Sequence, residues 1–505
     1  MVYLSKSKYC NFWQCPKMAW LNKYKPEVKT EDPGLQAVFD NGNEVGDLAM
    51  RLFGDFVEVT TYTEDQLDIA AMMKKTQDEL EKGTEIICEA AFSFNGLYCA
   101  VDILRKEGDG YAIYEVKSST ASEAEPDVKE VYVADIAYQK YVLEQCGINV
   151  SGTNLVRLNK AYVRGDELDI QKLFLVTNVD DAVSDEIQRV EPNLKLADQI
   201  LNCKDEPDYD LAERCRNPYN CQFWDYCARN LPEQSVFNLY NLRFKKKMDL
   251  YRKGFIAYED LLTCEDITDA KQIRQMEYAL QDKGTYVETD NIRVFLSKLS
   301  YPLYFLDFET MQLAVPPFKG TKPYQQIPFQ YSLHYIEKEG GELKHKEFLA
   351  VSGENPRREI AEALCRDIPM DVCTTAYNKQ FECARLTELA KSFPDLSEHL
   401  LNIRDHIVDL LDPFKSGYYY NKAMGGSFSI KSVLPAIFPD DPELDYHNLE
   451  GVHNGSEAMN IFPQIQFMKP AEQEKARHNL LKYCELDTYA MVKVWEELVR
   501  VGGVE

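Results

Sequence analysis

Hydrophobic and polar residues alternate along three short segments in the first half of the chain, at positions 85–94, 97–105 and 111–116. Asn-Gly and Gly-Asp-Gly turns separate these segments, so the pattern predicts three antiparallel strands joined by hairpins. An amphipathic helix at 136–145 and a strand at 152–158 are predicted to follow. An apolar strand at 302–308 opens a second region of strands and helices. This pattern predicts an α/β protein with two α/β domains.

Three segments are predicted: an N-terminal domain over 1–235, a helical linker over 236–299 and a C-terminal domain over 300–505. A length of 505 residues fits about three units at roughly 150 residues each. The linker is charged and includes the basic run at 243–247. Two interpretations of it stay open: a plain helical linker, and a helix–hairpin–helix-like DNA-contact module around Gly254.

Composition narrows the class of protein. With 57 basic and 83 acidic residues the net charge is −26, which excludes a cationic coat over the whole surface but not a local basic groove or acidic metal sites. No apolar run approaches the roughly 18 residues of a membrane span, and residues 1–8 lack a secretory signal pattern, so a cytoplasmic protein is expected. No phosphate loop and no dinucleotide fingerprint occurs, which argues against an ATP-driven motor and a nicotinamide cofactor.

A group of charged residues lies at the ends of two neighbouring predicted strands. Asp102 ends one strand, and Glu115 and Lys117 end the next, where alternation places both on one face. Two carboxylates so placed can hold Mg²⁺ or Mn²⁺, and the lysine can position water or stabilise charge on a phosphate oxygen. The alternative is an ordinary solvated strand end, where Glu-x-Lys is common.

Asp102, Glu115 and Lys117 resemble the core motif of PD-(D/E)xK nucleases. That resemblance implies a restriction-endonuclease-like core. In the RecB-like branch an upstream helix offers a further metal ligand, and Glu44 occupies the matching place; the alternative for Glu44 is an ordinary first-turn acid. Gln139 is similar to the glutamine of the helix that follows the core in the same branch, which implies a catalytic role.

Four cysteines bracket this predicted core: one near the N-terminus and three separated by two gaps of five residues, at Cys15, Cys215, Cys221 and Cys227. The arrangement resembles the iron–sulfur-stapled RecB-like nucleases, such as AddB subunits and the CRISPR-associated spacer-acquisition nucleases. The resemblance implies a [4Fe–4S] cluster that ties together distant ends of the domain. The usual trio has gaps of two and five residues, so structural zinc and unligated thiols stay open as alternatives. The fallback ligands are Cys10 and Cys203.

The C-terminal region contains a second acidic group. Asp307 and Glu309 end an apolar strand and point to the same side of it, while Glu382 opens a helix. Tyr483 and Asp487 lie four residues apart on a later helix and share a face. Four carboxylates with a tyrosine suit two-metal hydrolysis of a phosphodiester, with Tyr483 orienting the attacking water.

The order of these residues resembles the tyrosine subtype of the DnaQ-like DEDD exonucleases. This implies an RNase H-like mixed sheet flanked by helices, and 3′→5′ exonuclease activity. Glu382 stands where the family usually has Asp, and Asp409 is the fallback ligand. Residues 300–500 also look like a bacterial domain of unknown function often found behind RecB-like nuclease modules.

These observations predict a metal-dependent bifunctional nuclease that uses Mg²⁺ or Mn²⁺ and a [4Fe–4S] cluster. Nucleic acid is the expected partner, DNA in preference to RNA, with a role in DNA repair, nucleic-acid processing or mobile-element defence. The alternative is a non-catalytic nucleic-acid-binding or scaffold protein in which one or both nuclease folds are inactive.

Overall fold

The computed structural model describes residues 4–30, 35–124 and 128–503, with the backbone alone for residues 35–40. Both parts of the chain mix helices with strands, which confirms the predicted α/β class. The chain divides into two compact units. One comprises Met1–Asn230 together with Leu313–Gln325, and the other comprises Leu231–Gln312 together with Gln326–Glu505. Among the described residues, no helix is both long and apolar enough to cross a bilayer.

The first unit is built on a mixed sheet with helices packed on it. Its strands are β1 Leu4–Ser5, β2 Val57–Glu58, β3 Tyr62–Thr63, β4 Gln66–Leu67, β5 Ile86–Phe94, β6 Leu97–Glu107, β7 Gly110–Ala121, β8 Val150–Asn159 and β9 Phe174–Asn178. Its helices are α1 Lys6–Gln14, α2 Pro16–Tyr24, α3 Leu35–Ala49, α4 Ile69–Lys82, α5 Glu130–Gln145, α6 Ile170–Leu173, α7 Asp180–Asn202 and α8 Trp224–Cys227.

Turn chemistry fixes the central strands of this sheet. Asn95 and Gly96 both have positive φ, 49° and 83°, so a tight turn joins β5 to β6 as an antiparallel hairpin. Gly108, with φ 59°, helps to turn the chain from β6 into β7. Helix α5 then crosses back, so that β8 lies parallel to β7. The sheet order is β2-β5-β6-β7-β8-β9, with β1 beside β6.

The segment Leu313–Gln325 belongs to the first unit although it lies between two strands of the second. Ala314 and Val315 are buried in the same apolar cluster as Val45 and Ala49 of α3. Arg164 completes the attachment, because its Nη1 donates a 2.8 Å hydrogen bond to the carbonyl of Pro316. The first unit is therefore discontinuous in sequence, whereas the predicted N-terminal domain is a single continuous segment.

The second unit contains a five-stranded sheet and a smaller two-stranded one. Its strands are β10 Thr285–Val287, β11 Leu303–Gln312, β12 Gln326–Ile336, β13 Leu343–Leu349, β14 Cys373–Ala376, β15 Ile407–Asp409 and β16 Tyr419–Asn421. Its helices are α9 Phe244–Arg252, α10 Tyr258–Leu261, α11 Ala270–Leu280, α12 Thr289–Leu296, α13 Arg357–Asp367, α14 Gln380–Ser392, α15 Ser397–Asp405, α16 Asp412–Lys415, α17 Ile430–Ile437, α18 Gly455–Gln464 and α19 Pro470–Gly502.

The five-stranded sheet has the order β13-β12-β11-β14-β15, with its first strand, β11, in the centre. β12 is antiparallel to both β11 and β13, while β14 and β15 run parallel to β11. The long helix α19 packs on β11 and β12. It begins with Pro470 at its first position and ends before Gly503, whose φ of 60° suits a left-handed cap.

The segment predicted as a linker forms part of the second unit and has its own small apolar core. Gly254, with φ 86°, turns the chain between α9 and α10. The buried side chains include Leu250, Tyr258, Leu261 and Met276. This burial is more than a plain connecting segment requires, because exposed linkers rarely bury a contiguous cluster.

Candidate active sites and a cysteine cluster

The first acidic group lies where β6 and β7 pair. The antiparallel register places Ile103 opposite Tyr114, so the next position along each strand brings Asp102 against Glu115. The backbone N–H of Val116 donates a 2.7 Å hydrogen bond to Oδ2 of Asp102, which fixes that carboxylate. Asp102 and Glu115 therefore meet, as the hairpin predicts.

Two ammonium groups lie among these carboxylates. Lys117 Nζ is 2.7 Å from both Glu115 Oε1 and Asp135 Oδ2. Lys6 Nζ is 3.0 Å from Asp102 Oδ1 and 3.3 Å from Glu115 Oε1. Lys6 is the first residue of α1 and stands between the two predicted metal ligands.

Gln139 extends the network from α5. Its Nε2 donates to Glu115 Oε2 at 2.7 Å and to Asp135 Oδ1 at 3.0 Å. Its Oε1 is buried with no hydrogen-bond partner in the structure. A buried oxygen without a hydrogen-bond donor fits a site that binds either a water molecule or a cation. Glu44, in contrast, is exposed on α3 and, among the described residues, makes no hydrogen bond or ion pair with Asp102 or Glu115.

Burial and charge act in opposite directions in this cluster. Burial, reinforced by the nearby Glu115 carboxylate, raises the pKa of Asp102 and of Asp135. Burial also opposes ionisation of Glu115, but Lys117 and Lys6 outweigh it and hold the pKa of Glu115 well below its usual range. The cluster therefore holds an ionised Glu115 at neutral pH.

Glu89 is a further acidic residue that the sequence reasoning missed. It lies on β5, where the register with β6 carries it opposite Asp102, and its φ of 56° is rare for a residue with a side chain. Burial and the Asp102 carboxylate raise its pKa to about 7. The sequence could have indicated Glu89 through the register of the β5–β6 hairpin. Counting residues from the two turns places Glu89, Asp102 and Glu115 side by side on the three neighbouring strands.

Asp135 is another acidic residue of this site that the sequence analysis did not predict, although its spacing from Gln139 indicates that the two side chains lie together. The two residues lie four apart on α5 and so share a helix face. The contact of Lys6 with Asp102 could not be predicted from local spacing, because the two residues are 96 positions apart in sequence.

The second acidic group joins β11 to α19. Ligand oxygens of Asp307, Glu309 and Asp487 all lie within 4.8 Å of one another. The β11–β12 register shifts just after Glu309, and bulges of this kind often re-aim side chains beside active sites. Cys484 packs beside them, with its Sγ 4.0 Å from Asp307 Oδ2.

Glu382 is buried near this trio but lies outside the 4.8 Å group. One of its carboxylate oxygens, Oε2, is buried without a hydrogen-bond partner, and burial raises its pKa to about 8. Asp409, the alternative ligand, binds backbone groups instead. Its carboxylate accepts hydrogen bonds from the backbone N–H groups of Asn378, Lys379 and Leu411. Three of the four predicted carboxylates are thus brought together, and the fourth, Glu382, is close enough to raise the pKa of Asp307.

Tyr483 lies beside the trio with two neighbours that the sequence did not indicate. Its hydroxyl is 3.2 Å from Lys431 Nζ, and Lys431 lies over the rings of both Tyr483 and Tyr446. The hydroxyl of Tyr446 donates a 2.6 Å hydrogen bond to Asp487 Oδ1. Lys431 and Tyr446 also line an open cavity of about 950 Å³, whose walls include Asp440 and His453.

The carboxylates of the trio are held near one another against their mutual repulsion. Burial first, and then the neighbouring carboxylates, raise the pKa values of Asp307 and Glu309 well above their usual range. Burial raises the pKa of Asp487 to about 6, partly offset by the hydrogen bond from Tyr446 and by Lys431. Burial and Asp487 raise the pKa of Tyr483, so its hydroxyl stays protonated. A divalent cation would relieve this crowding, so the donor set fits such an ion.

The four predicted cluster cysteines line one small cavity in the first unit. Cys15 lies between α1 and α2, Cys227 ends α8, and Cys215 and Cys221 lie in the segment before that helix. Met18, Leu21 and Phe223 form an apolar shell around them. The backbone N–H of Cys221 donates a 2.9 Å hydrogen bond to the carbonyl of Cys215, which holds that loop closed. The fallback cysteines lie elsewhere: the pKa of Cys10 is raised by burial and by Asp135 of the first acidic group, and Cys203 is exposed.

The spacing of these sulphur atoms bears on the kind of metal that fits. Among the described residues, no three of the four cysteine sulphurs lie within 4.8 Å of one another. A tetrahedral zinc site with Zn–S bonds of about 2.3 Å needs sulphurs about 3.8 Å apart. The sulphurs of the described cysteines therefore do not have the spacing of a single tetrahedral ion.

Comparison with known proteins gives two matches. Residues 304–429 match a family model described as a domain of unknown function, DUF2779. That region carries Asp307, Glu309 and Glu382 but ends before Tyr483 and Asp487. The chain is also 26% identical over 235 residues to the Uncharacterized protein MG366 homolog of Mycoplasma pneumoniae, a match that covers 43% of this chain. The matched region spans about a third of that relative, 35% of its length.

Proposed function

We propose that the protein is a metal-dependent nuclease whose C-terminal unit trims nucleic acid from a 3′ end. The observation that carries the proposal is the trio of Asp307, Glu309 and Asp487, whose ligand oxygens all lie within 4.8 Å of one another. Two of the three are buried, and Lys431 is close enough to lower the pKa of each carboxyl group in part. A set of like charges this crowded is costly unless it serves a metal site.

The fold supports this proposal. The first strand of the five-stranded sheet, β11, lies in the centre, with the antiparallel pair β12 and β13 on one side and the parallel strands β14 and β15 on the other. This is the strand arrangement of RNase H-like sheets, which the resemblance to DEDD exonucleases implies. In the first unit, three antiparallel strands followed by helix α5 and the parallel strand β8 suit a PD-(D/E)xK core. Asp102, Glu115 and Lys117 occupy the second and third strands of that meander.

The chemistry of the second unit follows from its residues. Asp307, Glu309 and Asp487 would hold a divalent ion, with Glu382 as a further ligand, and the ion would supply charge stabilisation at a phosphate oxygen. Tyr483 stays protonated and orients the water that attacks phosphorus, while Lys431 neutralises part of the phosphate charge. The substrate chain would enter through the cavity that Lys431 and Tyr446 line.

A second candidate function applies to the first unit, where an observation favours a non-catalytic fold. Lys6 occupies the space between Asp102 and Glu115, where an ion would have to bind. Under this alternative the first unit contacts nucleic acid without cleaving it, and DNA in preference to RNA stays the proposed partner.

The test uses anaerobically purified full-length protein with end-labelled single- and double-stranded DNA and RNA, in Mg²⁺ or Mn²⁺ and in chelator. Asp307→Asn is expected to abolish 3′→5′ trimming, while Glu339→Gln, at an exposed turn, leaves it unchanged. Lys117→Ala removes any activity that remains in Asp307→Asn if the first unit is catalytic. Trimming that persists in Asp307→Asn, or in chelator, would overturn the proposal.

The cysteine cluster is proposed to hold a [4Fe–4S] cluster. Anaerobic protein is then expected to be brown and to contain iron, and Cys221→Ser to lose both iron and soluble yield, because the staple contributes folding free energy. Cys203→Ser is the matched control, since Cys203 is exposed and outside the cavity. Stoichiometric zinc without iron in fresh protein would contradict this assignment.

A further inference from the structure

A second kind of metal-ligand group lies on the five-stranded sheet and plays no part in the proposed hydrolysis. His334 on β12 and His345 on β13 stand directly opposite each other in the antiparallel register. Their ring centroids are 4.5 Å apart. Glu485 of α19 reaches the same place, and the ligand atoms of all three residues lie within 4.8 Å of one another.

Hydroxyl groups orient both imidazoles. His334 Nδ1 is 2.8 Å from Thr488 Oγ1, and His345 Nε2 is 2.9 Å from Ser332 Oγ. The two hydroxyls are themselves 2.6 Å apart. Within the described part of the chain, the second nitrogen of each ring makes no hydrogen bond. A ligating histidine commonly has this arrangement, with one nitrogen fixed by an outer partner and the other free for the metal.

The protonation state of His334 also suits metal binding. Burial, and then the adjacent His345, lower the pKa of His334 to about 4, so His334 is a neutral imidazole at neutral pH. Neutral imidazole is the form that binds metal ions. Glu485 keeps one oxygen on Lys482 Nζ at 2.7 Å, which leaves its other oxygen for a ligand bond.

The composition of this group differs from that of the carboxylate trio, and so does the metal it suits. Carboxylates alone favour hard ions such as Mg²⁺ and Mn²⁺, whereas imidazoles favour Zn²⁺ and its transition-metal neighbours. The two groups share no residue. Glu485 and Asp487 are two positions apart on α19, so they point to different sides of the helix.

We infer that His334, His345 and Glu485 form a binding site for a transition metal of the Zn²⁺ class, distinct from the site proposed for hydrolysis. The ion would tie together β12, β13 and α19, with its fourth position open to water because His345 and Glu485 are only partly buried. Since β12 pairs with β11 and α19 carries Asp487, the ion would stabilise the elements that position Asp307, Glu309 and Asp487.

The test is Zn²⁺ binding by the metal-free full-length chain, measured by equilibrium dialysis and by X-ray absorption at the zinc edge. His345→Ala is expected to lose one equivalent of bound Zn²⁺, and Glu485→Gln to bind that equivalent at least tenfold more weakly. His478→Ala, at an exposed position of the same helix, retains it. Asp307→Asn also retains it, which separates this site from the hydrolytic one whether or not the chain is a nuclease.

The X-ray absorption spectrum of Zn²⁺ bound to wild-type protein is expected to show scattering from imidazole ligands, which the spectrum of His345→Ala lacks. Thermal unfolding supplies a second measurement: Zn²⁺ raises the Tm of wild-type protein and of Asp307→Asn by more than it raises the Tm of His345→Ala. Equal Zn²⁺ stoichiometry in wild type and His345→Ala would overturn the inference. A folded Glu485→Gln with unchanged affinity would remove the carboxylate from the site and overturn the three-ligand assignment.

Discussion

The hydroxyl of Tyr446 lies 2.6 Å from Oδ1 of Asp487, although the two residues are 41 positions apart. The tyrosine donates this hydrogen bond in a buried site and lowers the pKa of a carboxylate that burial otherwise raises. It therefore holds Asp487 both in position and closer to its ionised state, which are the two properties that a metal ligand needs.

Tyr446→Phe tests this relationship. We expect the Mn²⁺ concentration that gives half-maximal trimming to rise by about 10- to 100-fold, the usual effect of removing a partner that orients a ligand. The rate at saturating Mn²⁺ should fall much less. Tyr304→Phe is the matched control, because Tyr304 lies on β11 in the apolar cluster on the other face. An unchanged Mn²⁺ requirement in Tyr446→Phe would show that the hydrogen bond does not support a ligand.

Lys6 is predicted to compete with a divalent ion in the first unit. Its ammonium lies against Asp102 and Glu115, and one unit charge about 4 Å away is worth a few kcal/mol at an effective dielectric constant of about 20. Lys6→Met should therefore strengthen Mn²⁺ binding by about tenfold or more, as measured by electron paramagnetic resonance in an Asp307→Asn background. Lys8→Met, exposed on the same helix, is the control. Weaker Mn²⁺ binding in Lys6→Met would mean that Lys6 supports the site.

Sequence reasoning succeeded where the determinants are local. Asn95-Gly96 specifies a tight hairpin, and once β5, β6 and β7 are paired the meeting of Asp102 and Glu115 follows from counting residues. The side-chain period of two likewise places Asp307 and Glu309 on one side of β11.

The rest of each site depends on contacts between distant parts of the chain. Lys6 reaches Asp102 across 96 positions, and Lys431 reaches Tyr483 across 52, with no periodicity to show either contact. His334 and His345 lie opposite each other in one hairpin, but the relevance of Glu485 depends on how α19 packs on the sheet. Packing of this kind is set by the whole core and not by the local pattern.

The discontinuity of the first unit gives a stability prediction. Val315 is buried in the apolar cluster around α3, so Val315→Asp places an unpaired charge in a core. We expect a loss of about 3 kcal/mol or more in the unfolding of the first unit, followed by near-ultraviolet circular dichroism during thermal melts. Val351→Asp, at a residue 53% exposed, should change stability little. Equal effects of the two changes would argue against the attachment of Leu313–Gln325 to the first unit.

The buried His334 predicts a pH dependence of stability in metal-free protein. Its pKa is about 4 when folded, against about 6.5 when unfolded, so the unfolded chain binds more protons between these values. Its contribution is therefore fully present above about pH 6.5 and is lost as the pH falls towards 4, by about 3 kcal/mol at most. Chemical denaturation across this range should show a shallower pH slope for His334→Asn than for wild type. His478→Asn, at an exposed position, should keep the wild-type slope, and an unchanged slope in His334→Asn would contradict the prediction.

Tyr483 separates catalysis from metal binding in the second unit. Its hydroxyl lies 3.2 Å from Lys431 Nζ, and its raised pKa keeps the proton in place, so it can orient water but cannot act as a base. Tyr483→Phe removes the hydroxyl and keeps the ring, so metal affinity should persist while the trimming rate falls by about 10- to 1000-fold. Asp487→Asn removes an anionic ligand, so it should weaken Mn²⁺ binding itself. Metal titrations of the exonuclease rate distinguish the two effects, with Tyr335→Phe as the control because that ring stacks on Tyr304. A wild-type rate in Tyr483→Phe would mean that this tyrosine only packs against the sheet, and the orienting group would then have to be sought at Lys431.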